Sequence, residues 1–490
     1  MHKMICHKIS SNLAMFALIS VFLFTGCMLG PDYKRPAVDV PNTWRFQEKE
    51  AIDLANTAWW EQFRDPVLNG LIQVALKENK DLRIATLRVE EFFGRYFSTR
   101  GDQFPLVVGS GSASRERATE KGPTPIPAGV DNPFDYYQAF LGGSWELDFW
   151  GRLRRASESA QAELFSTEEA RRTVILTLVS AVATAYVDIR ALDKQLEITR
   201  QTAQSRKDTR DLFQLRFNQG VISEVDLSQA ESEYEDALAR IPDLERAIGQ
   251  TENALSVLLG RNPGPIPRGL TIDALALPAV PSGLPSQLLE RRPDILQAEQ
   301  VLVAANARIG VAKAAYFPII SLTGSLGTVS TDLSDLFSGP SKVWSFGVPF
   351  TIPIFTAGRI GGEVTAAEAG QQGALYSYQR AIQQAFREME DALIDRSKTG
   401  QRVDALNRQL NALRNYARLA RLRYDGGYTS YLEVLDAERS LFNVEISYTG
   451  SRNTLFRSMI NIYKSMGGGW VAKAEDGVAA QPLKEAGFFP

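Results

Sequence analysis

The feature that most limits what this chain can fold into is an internal duplication. Residues Leu215–Ser223 align without a gap with Leu422–Ser430 at an offset of 207, and the same offset relates Gly260 to Gly467. Upstream, a Phe-Pro pair at 104–105 recurs at 317–318, an offset of 213. A chain of 490 residues would ordinarily suggest two or three domains. Several matches in one register instead predict two copies of one structural unit.

Each copy has the same order of predicted elements. A first helix is expected at 65–101 and 286–315, and a return helix at 223–259 and 430–466. Strands are expected at about 105–117 and 136–149, and again at about 318–329 and 343–354. Between them lie long helices at 152–217 and 360–424, each a rod of roughly 95 Å at 1.5 Å per residue. The Pro-rich segment 261–285 connects the copies, and 468–490 is a tail.

The second long helix carries a coiled-coil seam beside a weaker one. The stronger seam has 3,4 spacing and consists of Val403, Leu406, Leu410, Leu413, Ala417, Ala420 and Tyr424. The weaker seam consists of Ala405, Ala412 and Leu419. Two seams let a helix contact neighbours on both sides, as a closed ring of helices requires. A plain antiparallel hairpin would show the same helical pattern, so both arrangements stay open at this point.

The predicted strands alternate between apolar and small polar residues. In the last strand one face holds Trp344, Phe346, Val348, Phe350, Ile352 and Ile354. Such a face fits either a soluble sheet with one side on a core or membrane strands facing lipid. We favour the membrane, because the faces are rich in Trp and no other segment is available to cover them. Four strands cannot close a barrel, and an open edge in lipid leaves backbone groups unpaired. Several chains must therefore share one barrel.

The N-terminus has the form of a secretory signal. Two lysines precede an apolar run from Leu13 to Phe24, which ends in Thr25-Gly26-Cys27. The run is too short for a membrane span of about 20 residues. We expect residues 1–26 to be a signal peptide and Cys27 to be lipidated, against an ordinary signal with a chance cysteine. Residues 27–64 would then form a lipidated N-terminal segment.

Processing removes most of the residue types on which catalysis relies. Both histidines, His2 and His7, and the second cysteine, Cys6, lie within the signal segment. No Cys-His zinc site and no Ser-His or Cys-His pair can be built from the remainder. The mature chain is mildly acidic, which gives no reason to expect nucleic acid as a partner. We expect no enzyme, no metal and no cofactor apart from covalent lipid on Cys27.

Several motifs in one order resemble the TolC-like outer-membrane efflux duct family, in particular its NodT/OprM-like lipoprotein branch. The motifs are Cys27–Pro36, Trp59–Pro66, Gly283–Asp294, Ala304–Ala307, Phe317–Pro318 and Arg423–Ala437. The resemblance implies a mainly α fold with membrane β: a homotrimer with a twelve-stranded β-barrel in the outer membrane and an α-barrel across the periplasm. It also implies a periplasmic adaptor, or membrane fusion protein, and an inner-membrane resistance-nodulation-division pump. Segments before Trp59, in 261–285 and in the tail would form a belt around the tube.

The same resemblance assigns roles near the second hairpin tip. Glu433, Asp436 and Tyr424 would line the narrow periplasmic mouth, although acids in a first helical turn also suit the helix dipole. Thr429 departs from the Arg or Asp found there in other members, which puts that latch contact in doubt. Gly220, Ser223, Gly427 and Ser430 would face the adaptor, although turn and cap roles also explain them.

The expected function is a passive outer-membrane duct that exports small molecules such as drugs, which would contribute to multidrug resistance. A duct for type I protein secretion is the alternative, since it shares the architecture. A structural periplasmic coiled-coil lipoprotein is a third class. The substrate spectrum and the particular adaptor and pump cannot be read from the sequence.

Overall fold

The computed structural model describes residues 28–41, 43–45, 58–119, 121–123, 131–280, 285–467 and 470–475. The signal segment, Cys27, part of the predicted belt and the end of the tail lie outside these residues. The chain divides into two compact units. One contains the described parts of Met1–Ala37, Glu90–Ser166 and Ala298–Tyr378. The other contains those of Val38–Val89, Thr167–Gln297 and Gln379–Pro490.

The helices follow the order of the two predicted copies. A 3-10 turn at Trp59–Phe63 precedes α1 (Pro66–Glu78), α2 (Lys80–Gly101), α3 (Arg152–Asn218) and α4 (Glu224–Leu258). The second copy contains α5 (Leu288–Arg291), α6 (Pro293–Ala314), α7 (Arg359–Asp425) and α8 (Tyr431–Ser465), and α9 (Trp470–Glu475) follows. The strands are β1 (Leu106–Glu116), β2 (Phe134–Glu146), β3 (Ile319–Ser330), β4 (Lys342–Gly347) and β5 (Phe350–Thr351).

The duplication is visible in the element bounds. Helices α7 and α8 begin and end 207 residues after α3 and α4, and α6 lies 213 residues after α2. Three pairs of glycines with positive φ repeat at the same offset of 207: Gly151 with Gly358, Gly220 with Gly427, and Gly260 with Gly467. Each of these glycines adopts the left-handed backbone conformation that favours glycine. The two copies therefore share their turns as well as their helices.

Three predicted elements are divided in the structure, each for a local reason. The helix predicted at 65–101 is interrupted at Asn79, whose backbone is extended (ψ 131°) and whose Oδ1 accepts from the amide of Leu82, 2.9 Å away. The helix predicted at 286–315 becomes α5 and α6, because Arg292 is extended before Pro293. The strand predicted at 343–354 is interrupted at 348–349, because Pro349 has no N–H for the ladder.

The strands form one antiparallel sheet in the order β1-β2-β3-β4, with β5 paired to β3. One line of directly opposed residues runs Gly109, Leu141, Leu326, Trp344. Opposed residues share a face, so Leu141 and Leu326 lie on the same side of the sheet as Trp344 and Phe346. Phe346 on that face is 80% exposed in the single chain, and it stacks on Trp344 with ring centroids 5.7 Å apart. Trp344 and Phe346 therefore form an aromatic patch that no other part of the described chain covers.

The unit that contains Thr167–Gln297 has an apolar core. Trp59 is fully buried and stacks on Tyr463 at 5.4 Å, with Trp470 edge-on at 6.1 Å. Helix α3 has the length and composition of a membrane span, but 67% of its apolar window is buried in the protein. Ile175, Val179 and Val182 are fully buried in this core. The apolar stretch of α3 is therefore a packed helix, as the sequence indicates.

Candidate functional site

The two long helices end in the same type of turn. After α3, the amide of Gly220 donates to the carbonyl of Phe217 (2.8 Å), and Gly220 has a φ of 72°. After α7, the amide of Gly427 donates to the carbonyl of Tyr424 (2.9 Å), with a φ of 74°. A following amide reaches one residue further back in both turns, which completes a Schellman motif. The turn geometry alone accounts for glycine at 220 and 427.

The helices that follow these turns begin differently. Ser223 caps α4 in a reciprocal capping box, since its Oγ accepts from the amide of Asp226 and its own amide donates to the Asp226 carboxylate. Ser430 occupies the equivalent position before α8 with an extended backbone (ψ 159°), but its side chain makes no cap bond. Glu433, the residue equivalent to Asp226, is engaged elsewhere.

The carboxylate of Glu433 is held within its own hairpin. It accepts from Nη1 of Arg423 at 2.8 Å and from the hydroxyl of Thr429. Its side chain is 24% exposed. Thr429 stands where the resemblance leads us to expect Arg or Asp, and its hydroxyl donates to the Glu433 carboxylate. The structure joins Glu433 to α7 through Arg423, and the local positive charge compensates one of the two predicted mouth acids.

Asp436 lies one turn further along α8 and has a different partner. The hydroxyl of Tyr416 donates to Oδ2 of Asp436 over 3.4 Å. The pKa of the Tyr416 phenol is raised by burial and by the charges of Asp436 and Glu433. A phenol near two carboxylates thus keeps its proton, which preserves it as a donor.

Tyr424 connects the α7–α8 hairpin to the α3–α4 hairpin and does not bond Glu433 or Asp436 in the described contacts. Its hydroxyl accepts from Nη1 of Arg216 on α3 at 2.8 Å. Its ring meets Tyr431 edge-on at 5.2 Å, and Tyr431 packs on Phe213 at 4.4 Å. Burial raises the pKa of Tyr431 to about 12. An apolar cluster, which includes Leu227 and Val434, packs the tips of both hairpins together here. Among the described contacts, Tyr424 does not touch Glu433 or Asp436.

A buried charge network, which the sequence did not predict, joins α3, α4 and α8. Arg206 has only 6% of its side chain exposed, and its Nη2 lies 2.9 Å from Oε2 of Glu233. Arg439 of α8 bonds the same Glu233. Burial raises the pKa of nearby Glu438, against the opposing effect of Arg421 and Arg206. The signal was a break in the repeat, since the position equivalent to Arg206 is the apolar residue Leu413.

A second unforeseen cluster holds the segment 28–35. Arg155, whose side chain is 2% exposed, bonds the carbonyls of Leu29 (3.1 Å) and Gly30 (3.3 Å) and lies 2.7 Å from Asp32. The amide of Leu29 donates to the carbonyl of Trp150 at 3.1 Å, just beyond β2. The sequence identified this segment only as a motif and gave no sign of its partner.

The same segment is held at its other end by a buried carboxylate. Glu299 on α6 is 7% exposed and accepts from the hydroxyl of Tyr33 at 3.0 Å and from Nε of Arg35 at 2.7 Å. Burial and Glu299 raise the pKa of the Tyr33 phenol. Asn306 donates to the carbonyl of Pro31 at 2.7 Å. Residues 29–35, here termed the strap, are thus fixed along their length.

The chain is similar throughout to known proteins. The family described as "Outer membrane efflux protein" matches residues 71–261 and 284–468. "Toluene efflux pump outer membrane protein TtgC" of Pseudomonas putida is 36% identical over 460 residues, which cover 92% of this chain and 94% of that protein. "Cation efflux system protein CusC" of Escherichia coli is 38% identical over 451 residues, covering 91% and 97%.

A solved structure extends this likeness to the fold. The open state of the MtrE outer membrane channel of Neisseria gonorrhoeae is 33% identical and superposes with a TM-score of 0.82. The match covers 91% of this chain and 99% of MtrE. The two family matches correspond to the two copies of the duplication.

Proposed function

We propose, because this chain belongs to the outer membrane efflux protein family, that three copies of it form one duct that works with a periplasmic adaptor and an inner-membrane pump. The chain is an outer-membrane efflux channel and not an enzyme. As a passive duct it supplies a path, and the energy for export comes from the pump.

The observation that carries the proposal is the sheet, in which β5 continues β4 beyond Pro349, so that each copy contributes four strands and an exposed aromatic face. Within the part of the chain that the structure describes, β1 and β4 each pair on one side only. Unpaired backbone groups in hydrocarbon cost several kcal/mol each, so these edges must meet further strands. Three copies supply twelve strands, which lies within the range of membrane barrels.

The mouth is proposed to lie at the second hairpin tip. In a trimer, Glu433 and Asp436 would contribute six carboxylates around one axis, which would attract cations and repel anions. Arg423 moderates this field, because it lies 2.8 Å from Glu433. The bond from Arg216 to Tyr424 would hold the two hairpins of one chain together in the closed state.

The adaptor is proposed to bind the hairpin turns. Gly220, Ser223 and Gly427 are exposed in the single chain, as is Ser430. An adaptor there would contact two turns with the same backbone geometry, of which one is followed by a capping box at Ser223 and the other by Ser430 without a side-chain cap bond. The particular adaptor belongs to a resistance-nodulation-division system in this proposal.

Lipid is proposed on Cys27. Its neighbour in the chain, Met28, packs against Gly151, since a Cβ at 151 would lie 3.1 Å from Cα of Met28. The strap therefore begins beside the residues that follow β2, next to the strands that enter the membrane. A lipid attached one residue earlier would lie near the membrane surface.

The cargo is proposed to be small molecules such as drugs. One relative is named for toluene and another for cations, so the family has more than one class of substrate. Both of these relatives are efflux proteins by name, which favours efflux over type I protein secretion. Residues of the duct wall would then tolerate many cargoes, while the pump selects among them.

Deletion and complementation test the proposed function. Loss of the gene should increase sensitivity to dyes, detergents or drugs, and the intact gene should restore resistance. The purified protein should migrate as a trimer and conduct ions in planar bilayers. Loss of a secreted protein with unchanged drug sensitivity would favour protein secretion, and a monomer without conductance would favour a structural lipoprotein.

A further inference from the structure

We propose that three basic residues at one end of the sheet, Arg115, Arg117 and Lys342, bind the phosphate groups of lipopolysaccharide, the glycolipid of the outer leaflet. The inference rests on the proposed outer-membrane barrel and adds a lipid partner for one part of its surface. The three residues are here termed the rim patch. The face that carries Trp344 and Phe346 is termed the outward face, because it is the face that meets lipid in the proposed barrel.

The two ends of the sheet differ in what is attached to them. At one end β1 follows α2, β2 leads to α3, β3 follows α6 and β5 precedes α7. At the opposite end β1 ends and β2 begins, and β3 is joined to β4 by residues 331–341. Because the helices form the periplasmic tube in the proposed duct, this second end faces the outside of the cell. Arg115, Arg117 and Lys342 all belong to the outer end.

The pairing register places the rim patch on the outward face. Lys342 lies two residues before Trp344 on β4 and therefore shares its face. Paired residues connect this face through β3 to the odd-numbered residues of β2, among them Tyr137. Arg115 is paired with Asp135, which lies two residues before Tyr137, so Arg115 is on the same face.

The patch lies just beyond the aromatic residues that bound the apolar part of this face. From Tyr137 to Trp145 there are nine residues of β2, and a tilted membrane strand needs about 9 to 11. The outward residues between them are small or apolar: Ala139, Leu141 and Gly143. Membrane barrels carry aromatic residues at both interfaces. Arg115 and Asp135 lie about 7 Å further along the strand than Tyr137, which is the level of the lipid head groups.

Charge on the outward face is confined to the outer end. Within the described strands, the charged residues at outward positions are Arg115, Asp135 and Lys342. The outward positions nearest the helices are apolar instead: Val107, Trp145, Ile320, Leu322 and Phe350. Two leaflets of the same chemistry would give no reason for this difference. An outer leaflet of phosphorylated glycolipid explains why the cations lie at one end.

The cations of the rim patch are available to a ligand. Arg115 lies 3.8 Å from Asp135, and 70% of its side chain is exposed. An exposed ion pair of this kind contributes little to stability. Arg117 and Lys342 are exposed and have no carboxylate partner among the described residues. Arginine binds phosphate through two parallel hydrogen bonds and lysine binds it as a point charge, so the patch has the chemistry that a phosphate requires.

Assembly would increase the need for an anion at this place. In the proposed barrel the β4 edge of one copy lies beside the β1 edge of another, so Lys342 approaches Arg115 and Arg117 of its neighbour. Like charges directly opposite each other destabilise a strand pair. A phosphate bound between them would remove this repulsion at each junction of two copies.

Basic residues on an edge strand also hinder unwanted pairing of a free edge. That role ends when the barrel closes, because the edge is then paired. Lipid binding, in contrast, is expected of the closed trimer. A measurement on the assembled protein therefore separates the two explanations.

Titration of the purified trimer with deep-rough lipopolysaccharide tests the proposal. The full chain is kept in detergent with EDTA, so that divalent cations do not bridge phosphates, and bound lipid is counted by native mass spectrometry. The double variant Arg115→Gln with Lys342→Gln should raise the dissociation constant by about tenfold or more, because it removes charge-assisted contacts. Removal of the phosphates from the lipid should weaken its binding to the wild-type trimer by a similar factor.

The matched control removes the same two charges at the other end of the strands. Arg359→Gln with Lys313→Gln alters cations that pair with Glu363 and Glu368, and its binding should stay within about twofold of wild type. Arg117→Gln guards against a folding failure of the double variant, because it lies beyond the last residue of β1. It should weaken binding by about threefold. The size of each variant is measured before titration.

Equal binding by the wild type and the folded variants would overturn the proposal, as would equal binding of the intact and the dephosphorylated lipid. Binding of phosphatidylglycerol as tight as that of lipopolysaccharide would also overturn it, because any anionic lipid would then suffice. A wild-type chain that is monomeric and does not conduct would count against the proposed function. A conducting trimer that binds no lipopolysaccharide would count against the rim patch alone.

Discussion

The strap provides a prediction whose size can be worked from its contacts. Arg155→Met removes the guanidinium that bonds the carbonyls of Leu29 and Gly30 but keeps much of the side-chain bulk. Each bond from a charged donor contributes roughly 1.5 to 3 kcal/mol, and the lower figure applies because released carbonyls regain water. The contact to Asp32 adds little, because Asp32 is 82% exposed. The strap should therefore detach more easily by about 3 kcal/mol.

Hydrogen exchange measures this release directly. The amide of Leu29 is bonded to Trp150, so it exchanges only when the strap opens. A change of about 3 kcal/mol corresponds to exchange about 150-fold faster in the 28–35 peptide. Asp32→Asn should change the rate by less than about fivefold. Arg152→Met is the matched control, because Arg152 pairs with Glu146 and makes no described contact with the strap. Exchange within fivefold of wild type in Arg155→Met would refute the reasoning.

The remaining predictions concern the hairpins. Tyr424→Phe removes a bond from a charged donor and should cost about 1.5 kcal/mol of closed-state stability per chain, or about 4.5 kcal/mol when three chains open together. The open fraction in planar bilayers should then rise by about 2,000-fold. Tyr428→Phe, at an 81% exposed ring, should have no effect. Burial raises the pKa of Glu438, so the native state loses stability as pH rises through that pKa and the buried carboxyl must ionise. Glu438→Gln removes this charge and should therefore raise the melting temperature at neutral pH. At pH values well below 4.5, where the carboxyl is protonated in both states, the substitution should not raise it. Gly220→Ala should lower the free energy of unfolding by only about 1 to 2 kcal/mol, because alanine is strained in the left-handed backbone conformation. Gly260→Ala should lower it several times more in chemical denaturation, because its Cβ would also overlap the carbonyl of Glu78.

Much of the fold follows from patterns within the sequence. The long helices, their Gly-ended turns and the alternating strands depend on local periodicity and local backbone preference, so the sequence alone is enough to place them. The interruption at Asn79 could not be placed in this way, because a helix-capping side chain also occurs within helices. Pro349 is a local signal for the interruption of the last strand, but the apolar alternation continues across it and predicts one unbroken strand.

The sites were less predictable because their partners are distant in sequence. Arg155 meets residues 29–32, more than a hundred positions earlier, and no local pattern marks such a contact. Glu433 was identified as an acid near the tip, but its pairing to Arg423 depends on how two helices fold back on each other. Sequence spacing places residues along one helix, whereas these contacts depend on the packing between helices.

The open sheet has a consequence for biogenesis. A newly exported chain carries two strand edges in need of partners and an uncovered aromatic face, so insertion of the barrel must wait until copies meet. Encounter in the periplasmic volume would be slow at low expression, and exposed edges would meanwhile invite aggregation. The proposed lipid would confine each chain to a membrane surface with its strands at similar height, which raises the effective concentration of one chain for another. On this view the lipid acts mainly in recruitment, and its contribution should be greatest when the protein is scarce.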